Sequence, residues 1–177
     1  YFNGTVTSAG TVDNAGGVVI YNSESAQTID CNTEYYKMSV MNSSEKTLNG
    51  DLVLNDYLTV STNAILDIGS NRATVSGSTS ISALLEIGSG IFDANGAFDA
   101  SLGGVDFTNS AGELRVSTSS VTSFGSLDSQ MGTVVYDGSS AQTIDEAEIF
   151  YGLKIDNAAG VTLNAIAGIT IGGTLTL

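Results

Sequence analysis

The 177-residue chain contains no histidine. A Ser-His-Asp or Cys-His nucleophile pair and histidine metal ligation are therefore out of reach. The remaining chemistry is acidic, with 19 Asp and Glu against 5 Lys and Arg. The densest acidic group is Asp145, Glu146 and Glu148. Paired carboxylates of this kind could act as acid and base in polysaccharide cleavage, or hold calcium beside a basic residue. The matching positions of a second copy of this stretch hold Asp30, Cys31 and Thr33, so the cluster is not part of the repeating unit. It reads as a solvated corner.

Gly103-Gly104-Val105-Asp106 is similar to a calcium-binding nonapeptide. That motif must recur every nine residues for successive turns to share ions, and here it occurs once. EF-hand spacing is also missing. Calcium is the one cofactor left open, and diffuse counter-ions on a surface of charge −14 are the expectation. No residue is assigned as catalytic, cofactor-binding or metal-binding. Cys31 is the single cysteine, which rules out an internal disulfide. Its counterpart is Glu146, so the position tolerates charge and is expected to face solvent or a rung corner, and Cys31 reads as an unpaired thiol with no role. Five scattered cations cannot track phosphates, which disfavours nucleic acid and anionic membranes as partners. No apolar run approaches the roughly 20 residues that span a bilayer.

The elements that carry these residues are set by a repeat. Gly17 to Asp30 reads GVVIYNSESAQTID, and Gly132 to Asp145 reads GTVVYDGSSAQTID. The offset of 115 residues continues to Asn49 and Asn164, with 14 of 33 aligned positions identical. A two-residue insertion then sets 52–60 over 169–177. The division expected is the end of a preceding repeat at 1–16, one full repeat at 17–131 and the start of the next at 132–177, without linkers. Such a window reads as cut from a longer repetitive protein.

Within the repeat, apolar-polar-apolar triplets dominate: Met38-Ser39-Val40, Leu52-Val53-Leu54, Leu58-Thr59-Val60, and in the second copy Leu153-Lys154-Ile155, Ile169-Thr170-Ile171 and Leu175-Thr176-Leu177. In a strand the outer two residues of each enter the core and the middle one meets solvent. Val6 and Val12 are the core candidates of the opening segment. Gly or Asn interrupts the runs every 8 to 10 residues and no helical periodicity appears, so no helix is expected. Leu66-Asp67-Ile68-Gly69 returns as Leu85-Glu86-Ile87-Gly88 and more loosely as Leu114-Arg115-Val116, at the spacing of one solenoid coil. A 115-residue period then holds roughly four to six coils and advances about 19–29 Å. Asn42 and Asn157 follow triplets in both copies and read as corner residues. Tyr21 with Tyr136 and Tyr36 with Tyr151 read as rings that close a coil, although such rings can also stack on sugars. The Thr-x-Thr pairs Thr5/Thr7 and Thr174/Thr176 are isolated, so no ice-binding row is expected.

The expected architecture is an all-β, parallel β-solenoid; the alternative is a tandem of antiparallel β-sandwich domains. Strand runs of three to five residues favour the solenoid. The order GTVVYDGSSAQTID, FYGLKIDNAAGVTLN, GITIGGTLTL resembles repeats of very large surface proteins that Bacteroidota export by type IX secretion, including gliding-motility and other adhesins. The resemblance covers 17–60 and 132–177. It implies an extracellular or cell-surface location, a repetitive β stalk whose partners are adjacent repeats, and surface or polysaccharide attachment by the whole protein. It carries no catalytic residues. The function expected is a non-enzymatic structural and adhesive segment. The alternative is a β-helix that binds or cleaves carbohydrate.

Overall fold

The computed structural model describes residues 1–4, 10, 12, 15–119, 121–145, 148–164 and 168–177. It is an all-β parallel solenoid of about eight turns. No helix occurs among the described residues. The first face stacks β1 (Val18–Tyr21), β3 (Lys37–Val40), β6 (Leu58–Val60), β9 (Thr79–Ile81) and β12 (Phe98–Asp99). The second stacks β2 (Gln27–Ile29), β4 (Glu45–Leu48), β7 (Ile65–Asp67), β10 (Leu84–Glu86), β13 (Gly104–Asp106) and β15 (Ser126–Leu127). The third stacks β5 (Leu52–Leu54), β8 (Arg72–Val75), β11 (Ile91–Ala94), β14 (Glu113–Val116), β16 (Thr133–Tyr136), β18 (Ile149–Ile155) and β20 (Thr170–Thr176). β17 (Gln142–Ile144) and β19 (Val161–Leu163) form a separate pair. Every strand pairing is parallel, at register steps of 19 to 22 residues, which excludes an antiparallel sandwich.

The triplets explain why the strands are so short. Two inward side chains fill a narrow coil interior, and the next face begins within a few residues. Met38, Val40, Leu52, Leu54, Leu58 and Val60 are buried as the alternation requires. Leu66 sits under Leu85, which sits under Val105, giving one continuous core column. A second row is aromatic, with Phe92, Phe98, Phe124 and Phe150 in successive ring contacts 5.9 to 6.4 Å apart. Val12 packs against the core, while Val6 and the Thr5/Thr7 pair lie outside the described residues.

The loose echo at Leu114-Arg115-Val116 belongs elsewhere. Leu114 pairs with Phe92 on the third face, and the coil above Leu85-Glu86-Ile87-Gly88 is Val105-Asp106-Phe107-Thr108. The shared feature is a left-handed corner, at φ 60° for Gly69, 58° for Gly88 and 48° for Thr108. A Cβ at Gly88 would meet Gly69 O at 2.6 Å, so stacking as well as backbone sign requires glycine there.

The two copies pair alike. Gln27 opposes Lys46 as Gln142 opposes Val161, Met38 opposes Leu58 as Leu153 opposes Leu175, and Tyr35 bridges Leu54 as Phe150 opposes Ile171. They do not lie on the same side of the molecule. β1 is on the first face and its equivalent β16 on the third. Between them the chain crosses five full turns and two further faces, counting the bridges at Tyr35 and Ser123 as face positions. At ~4.8 Å per turn the repeat advances about 27 Å.

Candidate functional site

The recurring SAQTID stretch is built for clamping. The Gln27 side chain is buried; its Oε1 accepts Ser23 N–H at 3.0 Å, and its Nε2 donates to Phe2 O (3.0 Å) and Gly4 O (2.6 Å) one coil earlier. Gln142 repeats this with Gly138 N–H (2.9 Å), Val116 O (2.8 Å) and Thr118 O (2.7 Å). One amide thus ties its own loop to the coil beneath: its oxygen takes up the loop N–H, and its nitrogen is a second donor to Phe2 O and Val116 O, which also accept the Asn22 and Asp137 N–H groups. Tyr35 Oη donates to Asp30 O at 2.5 Å and lies 3.1 Å from Tyr21 Oη, closing the following turn from inside. Burial first of all pushes both phenols up.

The copies differ in how the clamp is finished. In the first, Lys46 is fully buried and its Nζ donates to Ser23 O (3.1 Å), Ser44 O (3.0 Å) and Ser44 Oγ (2.5 Å). Burial pulls its ammonium down from the ordinary lysine range. In the second copy Val161 and Ala159 replace Lys46 and Ser44, and Asn157 Nδ2 caps Ser140 O and Gln142 Oε1, each at 2.8 Å. Asn42, at φ 68°, donates instead to Asn22 O, so both asparagines are corner residues.

Outside the core, charge is sorted by face. The third face pairs Arg72 with Asp93, Arg115 with Glu113 (2.6 Å) and Asp137 (3.7 Å), and Lys154 with Asp156 (2.7 Å). On the first, Lys37 lies 3.5 Å from Asp56 and 5.1 and 5.2 Å from the Tyr36 and Tyr57 ring centroids. With Lys46 buried, all five cations are accounted for. The outer surface of the second face holds the carboxylate column Asp67, Glu86, Asp106 and Asp128, one per coil, with no cation paired to it among the described residues. Partial burial, then Asp67, Glu45 and Asp106, raise the Glu86 carboxyl. Beside this column Gly103 and Gly104 open a shallow groove of about 480 Å³ lined by Leu84, Asp106, Ser126 and Asp128.

Among the described residues, the clusters singled out in the sequence lie apart from one another. Asp145 and Glu148 border a pit of about 10 Å³ with Tyr136, at the lower limit for one water molecule; Glu146 lies outside the described residues. Burial, then Glu148 and Asp145, push the Tyr136 phenol up. Gly103 and Gly104 serve stacking, since a Cβ would come within 2.2 Å of Ala83 O and 2.6 Å of Ser126 O, and Asp106 Oδ1 accepts Thr108 N–H. Among the described residues no three acidic or thiol side chains gather as a metal site. Cys31 is half-buried, and burial raises its thiol. Tyr21 and Tyr136 are core rings, whereas Tyr151 is 39% exposed. The clamp glutamines, Lys46 and Tyr35 escaped sequence reasoning; the available signal was a polar residue at an inward strand position. No family model, curated protein or solved structure matches the chain.

Proposed function

We propose that this chain is a spacer segment of an exported surface fibre, which holds an adhesive part of its parent protein away from the cell. The observation that carries the reading is the unbroken core column from coil to coil, with a column of carboxylates outside it. Length in such a fold grows by adding coils, each supplying a hydrogen-bonding edge and an apolar face to the next. The anionic second face suppresses sideways pairing of fibres. The carbohydrate reading called for tyrosines and carboxylates lining one groove. Tyr36 and Tyr57 sit instead on the first face, whose other outward residues include Ser39, Thr59 and Ser80, while the groove at Gly104 has no aromatic lining. Electron microscopy of one, two and three fused 115-residue copies tests the spacer: length should rise by about 27 Å per copy. Globules joined by flexible gaps, or turnover of an acidic polysaccharide, would refute it.

A further inference from the structure

The last coil leaves an apolar surface open. Leu163 and Leu175 are each 51% exposed and Leu177 is 89% exposed, and with Ile169 and Ile171 they border a recess of about 190 Å³. Their equivalents in the first copy, Leu48, Leu58, Val60, Leu52 and Leu54, are all buried. What buries them there is the coil 61–81, through β4 to β7, β5 to β8 and β6 to β9. Since the copies share every internal register compared above, the open surface has the chemistry of an interface already present in the molecule.

We propose that this end is a docking site for one further parallel β-coil with the apolar spacing of 61–81, seated two faces further round than in the first copy. It rests on the spacer reading and adds the partner and its register. Carried over, β7 fixes Leu66 of the incoming coil over Val161, β8 fixes Val75 over Ile171, and β9 fixes Ser80 over Thr176. The edge of β20, seven residues long, supplies the main-chain groups, and the half-exposed leucines supply the apolar seat. Because each copy advances five turns and two faces, the acidic column would move from the second face to the first in a following copy. Three copies, 345 residues, would bring it back to its starting side after 17 turns.

The test fuses residues 61–81 after Leu177. The extended chain should be monomeric, unfold at higher urea than the original, and protect the added amides from hydrogen exchange at least tenfold. Cysteines at Thr176→Cys and at the added Ser80, with Cys31→Ser, should form a disulfide, as adjacent parallel strands bring Cα atoms within its reach. The same fusion with Leu66 and Ile68 of the added coil changed to Asp should lose the gain. Added residues that stay exchangeable, or a cross-link that forms one strand position away, would overturn the proposal. So would dimerisation of the unextended chain abolished by Leu175→Asp, because a second copy would then be the occupant. Failure here with copies that still lengthen the fibre by about 27 Å would leave the spacer reading standing.

Discussion

Residues 17–60 and 132–177 carry the same signature and pair in the same registers, yet the first lies under further coils and the second ends in the open. Leu54 is fully buried, and its equivalent Ile171 is only partly so. The sequence of a coil specifies which residues face inward; how much that burial stabilises depends on the neighbour that completes it. The difference should be largest in the core. Leu54→Ala is expected to cost about 2–5 kcal/mol, and Ile171→Ala less than half as much, measured by urea unfolding. Equal losses would mean that the last coil is as fully packed as the interior.

The clamps come next. Gln142→Ala strands the Gly138 N–H and takes one donor each from the Val116 and Thr118 carbonyls, for an expected loss of about 1–3 kcal/mol. Gln27→Ala should cost less, since its partners Phe2 and Gly4 lie in the opening coil. Lys46 has no counterpart charge in the second copy and separates the two by pH. Its folded-state pKa is lowered, so between that value and the ordinary 10.5 the unfolded chain binds more protons, and stability rises with pH. Lys46→Met should flatten that rise in unfolding curves taken from pH 7 to 10. Above pH 10 the raised tyrosines act oppositely: the folded state then binds more protons, and stability falls. The smallest effect concerns the faces. Glu86→Gln should stabilise by roughly 0.2–1 kcal/mol at low salt, and 0.5 M NaCl should erase most of the gain.

Much of this was legible in the chain. Period-2 triplets fix inward and outward sides because a strand has only two, and the 19-residue echo from Leu66 to Leu85 marks one turn. The next turn was hidden because Val105-Asp106-Phe107-Thr108 keeps the alternation and the corner but changes every apolar identity, while Leu114 on another face preserved a leucine. The rotation between copies was not legible either. Alternation within strands says nothing of how many faces make a turn, so 115 residues could not be divided into turns from spacing alone. Polar clamps were hidden for a related reason: Gln27 and Gln142 occupy inward positions, where pattern reading expects an apolar side chain.

The parallel registers also determine how the molecule would yield under tension. Its inter-strand hydrogen bonds run along the long axis, so a pull on the two ends strains the outermost turn first and spares those behind it. Each turn of about 20 residues would release roughly 65–70 Å of slack as it peels away. Drawn out in an optical trap, the chain would lengthen in many small, evenly sized steps, with the intact remainder ready to rewind when the load falls.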